Sequence, residues 1–167
     1  YVWEDDHRVV LGFPGTQADF PDWITNGKVP PNRDGIHSGF ATACQEYVCR
    51  DVRDYLRGAI DAGKIIQTCG MSQGGAYACV MPWYLHWDHK IVVNEIVTYG
   101  SPPWALPHVA REMDTWTKIT RVVTPHDIVA CSWLPLLHRE GRMIELPDTT
   151  GEKIPGVHDH RPEVYTA

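Results

Sequence analysis

Short apolar runs alternate with amphipathic stretches along most of the chain. Each run is closed by glycine, proline or charged residues, which is typical of short strands buried in a sheet. The predicted strands cover residues 8–13, 64–69, 95–99, 118–124 and, at a sheet edge, 142–146. Because strands that alternate with helices form right-handed β-α-β units, we expect an α/β fold with a mostly parallel central sheet flanked by helices.

Helical periodicity marks the segments between these strands. From Ser38, a suitable N-cap, apolar residues recur at three- and four-residue intervals until Gly63, which predicts one long helix. A second helix is expected after the turn at Ser72 and through roughly Leu85, and Pro82 within it predicts a kink or an early stop. Residues 106–116 predict a shorter third helix.

Length and charge exclude several classes of protein. A chain of 167 residues with 43% hydrophobic content can bury one good core, so we expect residues 1–167 to form a single domain. The formal net charge of -6, without clustered Lys and Arg, argues against a nucleic-acid partner. No apolar run reaches the roughly 18 residues of a membrane span and nothing is typical of a signal peptide, so we expect a soluble chain of unknown localisation. Five cysteines without Cys-x-x-Cys spacing predict free thiols.

The strongest chemical signal is Gly-x-Ser-x-Gly at residues 70–74, between a predicted strand and a predicted helix. A serine in such a tight turn exposes its hydroxyl, and the glycines make room for the backbone. The helix N-terminus that follows favours a developing negative charge. We therefore predict Ser72 as a nucleophile, with an ordinary glycine-rich turn as the alternative interpretation.

A serine nucleophile needs a base, usually a histidine that is oriented by a carboxylate. Asp127 follows a strand end at the face where Ser72 is expected to emerge, so it is the predicted acid. The chain order Ser, Asp, His leaves three candidate bases, namely His138, His158 and His160. His138 precedes the last predicted strand and is more typical of a structural residue, whereas the residues alone leave His158 and His160 open.

The tetrahedral intermediate of acyl transfer needs hydrogen-bond donors. One is expected to be the backbone N–H of Gln73, directly after the nucleophile. The second is expected from the Gly15–Thr16 turn after the first strand, where the Thr16 hydroxyl could hold the loop. A metal site at His158 and His160 lacks a second cluster with ligand spacing, so no metal or cofactor is predicted.

These motifs together resemble the class 3 lipase family, the α/β-hydrolases typified by fungal triacylglycerol lipases. The matching stretches occur in the family's order and cover most of the chain, at residues 9–16, 22–26, 36–40, 70–76, 97–102, 126–129 and 138–141. The resemblance implies a minimal α/β-hydrolase fold with Ser72 as nucleophile and Asp127 as triad acid. It also implies an oxyanion hole formed by Thr16 and Gln73.

The resemblance further implies the base, since a family-like histidine followed by an aromatic residue favours His160 with Tyr165. It makes residues 17–26 the counterpart of the lid. Met71, Gln73 and Pro14 depart from the residues usual in the family, but none of these changes removes a catalytic atom.

The implied function is hydrolysis of carboxylic esters of acyl lipids through an acyl-enzyme, as in a lipase, phospholipase or esterase. The expected partners are an acyl-ester or phospholipid substrate and, transiently, a membrane or lipid surface. The alternative is a catalytically silent hydrolase-like domain that binds lipid or protein. Four tryptophans could edge an acyl groove, although core packing is the more common role for such residues: Trp23, Trp83, Trp104 and Trp133.

Overall fold

The described part of the chain contains a central sheet of six strands that follow chain order. The computed structural model describes residues 1–15, 30–45, 49–130, 137, 141–147, 160 and 165. The strands are β1 (Val2–Glu4), β2 (Arg8–Phe13), β3 (Ile65–Met71), β4 (Glu95–Tyr99), β5 (Lys118–Val123) and β6 (Arg142–Glu145). β1 runs antiparallel to β2, and every later pair of neighbours is parallel. The predicted mostly parallel sheet is confirmed.

β1 is an edge strand that the sequence pattern does not predict. All of its residues are exposed, so it has no alternation of buried and exposed positions that would mark a strand. Its backbone is nonetheless paired in register with β2, from Val2 opposite Leu11 to Glu4 opposite Val9.

The described helices are α1 (Ser38–Ala43), α2 (Cys49–Asp61), α3 (Gln73–His89) and α4 (Pro107–Met113). The structure thus describes two helices where the periodicity predicts one from Ser38 to Gly63, and residues 46–48 between them lie outside the described residues. α3 packs on β2, β3 and β4 and is also in contact with α1 and α2. Packing of α3 on the three strands therefore fixes the positions of the strand ends.

The early stop expected at Pro82 is wrong, because α3 continues through this residue to His89. A proline inside a helix has no N–H for the carbonyl four residues earlier, which here is that of Ala78. The hydroxyl of Thr68 on β3 donates a hydrogen bond of 2.8 Å to this carbonyl oxygen. Since the freed acceptor is satisfied and the helix around it is buried, the proline is tolerated.

The core lies between the sheet and its helices, and two tryptophans belong to it. Trp83 and Trp104 are 9% and 2% exposed, so both fill the core and not the edge of a groove. Trp23 and Trp133 lie outside the described residues. The thiols of Cys69 and Cys79 are free. None of the described helices has the length and apolarity needed to cross a membrane.

Strand register brings the carboxyl ends of the central strands to one edge. Phe13 at the end of β2 lies opposite Gly70, and Met71 at the end of β3 lies opposite Tyr99. The next residues continue this alignment, since the Ser72 N–H donates to the Tyr99 carbonyl at 2.9 Å. In parallel α/β sheets this edge is where ligand sites form.

Candidate active site

Ser72 stands in the turn between β3 and α3 with a strained backbone. Its φ of 55° and ψ of -128° are unusual for a residue with a side chain. The residue is 5% exposed, and among the described residues its Oγ has no hydrogen-bond partner. The backbone matches the predicted strand-turn-helix context, and no hydrogen bond within the described residues occupies the buried hydroxyl.

Three glycines are required by close contacts around this turn. A Cβ at Gly70 would lie 2.2 Å from the Gly74 carbonyl oxygen, and a Cβ at Gly74 would lie 2.2 Å from that of Phe13. A Cβ at Gly75 would lie 2.7 Å from the Cβ of Ser101. Real side chains do not approach so closely, so the strained serine is enclosed by backbone on several sides.

The turn after β2 lies against the serine. A Cβ at Gly15 would lie 3.4 Å from Ser72 Cβ and 3.3 Å from the Met71 carbonyl oxygen. Thr16, the expected second oxyanion donor, lies outside the described residues.

Gln73 is the first residue of α3, so its backbone N–H has no acceptor within the helix. Its side-chain Nε2 donates a hydrogen bond of 3.0 Å to the Tyr77 hydroxyl. Burial raises the pKa of Tyr77, which keeps this acceptor a neutral hydroxyl. The Gln73 side chain, which differs from the residue usual in the family, is thus hydrogen-bonded to Tyr77 one turn further along α3. The backbone N–H of Gln73 lies at the start of the helix.

Asp127 and His160 form a buried pair beyond the end of β5. His160 Nδ1 lies 2.9 Å from Asp127 Oδ1 and 2.8 Å from Oδ2, and the two residues are 6% and 0% exposed. Asp127 Oδ1 also accepts the backbone N–H groups of Val129 at 2.8 Å and Ala130 at 3.0 Å. An imidazole that donates from Nδ1 presents Nε2 as an acceptor, which is the tautomer a general base requires.

The backbone at Tyr99 and Gly100 connects the serine with this pair. The Tyr99 carbonyl accepts the Ser72 N–H, and the next residue, Gly100, has a φ of +55°. A Cβ at Gly100 would lie 2.5 Å from Asp127 Oδ2 and 3.1 Å from His160 Cε1. The nucleophile and the acid–base pair therefore flank one dipeptide at the end of β4.

The structure thus brings His160 to Asp127, while the other two candidate bases, His138 and His158, lie outside the described residues. Sequence reasoning missed the role of Gly100, although a glycine directly after a strand was a usable signal. It also missed the backbone donors to Asp127, for which no signal exists in the side chains. The described residues contain no group of three or more His, Cys, Asp or Glu placed to hold a metal ion.

Comparison with known proteins assigns the chain to a family. The family model described as lipase (class 3) matches residues 10–135, which include the serine turn, the β4 end and Asp127. This chain belongs to the class 3 lipase family. No curated protein matches the sequence significantly.

Solved fungal lipases share the fold of this class 3 lipase domain. A lipase from Rhizopus microsporus var. chinensis is 19% identical with a TM-score of 0.69, covering 83% of this chain and 53% of its own. Lipase II from Rhizopus niveus is 21% identical with a TM-score of 0.70, covering 83% and 57%. Rhizomucor miehei triacylglyceride lipase is 19% identical with a TM-score of 0.70, covering 84% and 58%. The expected α/β-hydrolase fold is confirmed, and the chain spans somewhat more than half the length of these lipases.

Proposed function

We propose that this chain hydrolyses carboxylic esters of acyl lipids through Ser72, His160 and Asp127. The observation that carries the proposal is the buried Asp127–His160 pair, which lies against Gly100, while the strained and buried Ser72 is hydrogen-bonded to the preceding residue, Tyr99. Membership in the class 3 lipase family supports the choice of an acyl ester as substrate.

In the first half of the proposed reaction, Ser72 Oγ attacks the acyl carbonyl carbon while His160 Nε2 takes the hydroxyl proton. Asp127 orients the imidazole and stabilises the imidazolium that forms. The negative charge on the carbonyl oxygen is stabilised by the Gln73 N–H and by Thr16. The intermediate then expels the alcohol, which receives the proton from His160, and an acyl-enzyme on Ser72 remains.

In the second half, a water molecule gives a proton to His160 and attacks the acyl carbon. Collapse of the second intermediate releases the fatty acid and restores the Ser72 hydroxyl. The N-terminus of α3 favours the oxyanion in both halves, because the positive end of the helix dipole lies at this end of the helix. Removing one such donor typically costs about 3 to 4 kcal/mol of transition-state stabilisation.

The test combines covalent labelling with hydrolysis. We expect a fluorophosphonate probe to label the wild type at Ser72, and p-nitrophenyl esters of several acyl lengths to be hydrolysed. The variants Ser72→Ala and His160→Ala are expected to lose roughly 10⁴- to 10⁶-fold in kcat. Parallel assays on emulsified triglyceride and on phospholipid vesicles then separate a lipase from a phospholipase.

Two histidines provide the controls. His7→Ala removes an exposed ring and is expected to leave kcat unchanged. His158→Ala tests the other candidate base, and loss of activity in this variant with retention in His160→Ala would reverse the assignment. A wild type that is neither labelled nor active on any ester would instead favour the silent domain that binds lipid or protein.

A further inference from the structure

Asp127 accepts more hydrogen bonds than a triad carboxylate needs to orient its histidine. The Tyr165 hydroxyl donates to Asp127 Oδ2, the oxygen that also lies 2.8 Å from His160 Nδ1. The other oxygen, Oδ1, is held by the backbone N–H groups of Val129 and Ala130. Tyr165 therefore competes with His160 for the charge on the same oxygen.

Several contacts fix the Tyr165 ring in place. It packs edge-on against Tyr99 at the end of β4, with ring centroids 6.1 Å apart and an interplanar angle of 79°. Thr124, which is buried and directly follows β5, also hydrogen-bonds with Tyr165. The Tyr165 hydroxyl also lies close to Gly100, since a Cβ at position 100 would be 2.8 Å from its oxygen. Only a residue without a side chain at position 100 leaves room for this bond.

The hydroxyl is kept in its donating form. Burial and the negative charge of Asp127 both raise the pKa of Tyr165 above its ordinary value. A phenol whose pKa is raised stays protonated throughout the neutral range, so it continues to donate while His160 gains and loses its proton.

From this geometry we infer that Tyr165 is a positioning residue that sets the pH range of the proposed hydrolysis by drawing charge from Asp127 Oδ2. The inference rests on the proposed function. A donor to the carboxylate weakens its hold on a protonated imidazole, because the charge of one oxygen is shared between two hydrogen bonds. With the donor removed, the protonated imidazole is stabilised more strongly, and His160 becomes an active base only at a higher pH.

Few titratable side chains among the described residues face Asp127 and Tyr165, so few groups could cause a change in the pH dependence of the reaction. Among the described residues, His160 and Tyr165 are the titratable side chains that bond to Asp127. Tyr99 faces Tyr165 from β4, and half-buried His126 precedes Asp127 in the chain. A change that follows the Tyr165 hydroxyl can therefore be separated from effects of the ring and of its neighbours.

The test is the pH dependence of fluorophosphonate labelling of Ser72, measured as a second-order rate constant between about pH 5 and pH 9. Tyr165→Phe keeps the ring and removes the donor. We expect the midpoint of the acidic limb to move about 0.5 to 1 unit toward higher pH. Tyr99→Phe is the matched control, since it removes a neighbouring hydroxyl that does not bond to Asp127, and its midpoint is expected to be unchanged.

A second substitution reverses the sign. Replacing Tyr165 by 3-fluorotyrosine strengthens the donor, so the acidic limb is expected to move toward lower pH. Thermal unfolding of each variant checks that the fold is intact, and a titration of the His160 ring by NMR follows the same shift without catalysis. A wild type that is labelled at Ser72, with the same midpoint in Tyr165→Phe, would overturn the inference alone. A wild type that is not labelled at any pH would overturn the proposed function and, with it, a catalytic role for Tyr165.

Discussion

The two halves of the candidate site are built by different physical means. Around Ser72 the geometry is fixed by close approach, because Gly70 and Gly74 would each place a Cβ 2.2 Å from a backbone oxygen. Around Asp127 it is fixed by directed hydrogen bonds, from two backbone N–H groups, an imidazole and a phenol. Steric enclosure tolerates almost no change, whereas a hydrogen-bonded network can lose one member and keep its shape.

The two halves of the site also differ in how far apart their residues lie in the chain. Residues 70–75 form the serine turn within one short stretch, and contacts with Phe13 and Ser101 complete it. The acid side instead joins Asp127 to a histidine 33 residues later and a tyrosine 38 residues later. We therefore expect substitutions at the turn to damage folding and activity together, and substitutions on the acid side to separate the two.

The largest effect is expected from Gly74→Ala. The new methyl would meet the carbonyl oxygens of Phe13 at 2.2 Å and Pro14 at 2.5 Å, and neither can move without disturbing the end of β2. Overpacking of this kind reduces the free energy of unfolding by about 1 to 3 kcal/mol. Because the methyl group would clash with backbone atoms, which cannot change rotamer, we expect a value at the upper end. Ester hydrolysis should fall to background and the midpoint of denaturant unfolding should drop.

The matched control for this variant is Gly58→Ala on α2. Position 58 is exposed, and a Cβ there would meet nothing within 4 Å. Since alanine favours a helix over glycine by about 1 kcal/mol, the free energy of unfolding should rise slightly while activity stays constant. If Gly74→Ala behaved like Gly58→Ala, steric enclosure would not be what fixes the turn.

The next effect is expected from Asp127→Asn. The amide oxygen can still accept the N–H groups of Val129 and Ala130, but the amide nitrogen presents a donor toward His160 and favours the wrong tautomer. We expect kcat to fall about 10⁴-fold with little change in the free energy of unfolding. Steady-state kinetics and denaturant unfolding on the same preparation test both parts.

Asp5 offers a close control, because its Oδ1 also accepts the N–H groups of the residues two and three positions later, both at 2.8 Å. Asp5→Asn removes the same charge from the same kind of turn, with no buried histidine bonded to it. Its activity should equal that of the wild type. Equal losses in the two variants would show that the turn, and not the imidazole, explains the effect at Asp127.

The strands and α3 show how much of the fold could be predicted from the sequence. Strand boundaries follow from local patterns, and the strands at 8–13 and 95–99 are confirmed as predicted, while β3 extends two residues beyond the predicted end at Cys69. The sequence pattern could not distinguish the helix stop expected at Pro82 from the observed continuous helix. That outcome depends on a Thr68 hydroxyl from another element.

The base illustrates the same limit within the site. His158 and His160 are equivalent to any local pattern, and family resemblance, not periodicity, favours His160. The distance between its ring and Asp127 is set by the path of the chain over more than 30 residues, for which no local rule exists. Ser72 as nucleophile, Asp127 as acid and His160 as base stay predictions until the variants are measured.

The smallest of the three effects, and the one most able to break the comparison, is expected from Gly100→Ala. Here a steric requirement lies on the acid side, since the new methyl would be 2.5 Å from Asp127 Oδ2 and 3.1 Å from His160 Cε1. Displacing a catalytic group by about 1 Å can cost on the order of 100-fold in rate, so we expect kcat to fall about 10- to 100-fold.

Gly63→Ala is the control, because its φ of +79° imposes similar backbone strain where a Cβ meets nothing within 4 Å. If both variants lose about 1 kcal/mol of stability but only Gly100→Ala loses activity, the loss comes from crowding of the pair. If Gly100→Ala unfolds the protein as Gly74→Ala is expected to do, the acid side is as sterically enclosed as the serine turn, and hydrogen bonding does not distinguish the two halves.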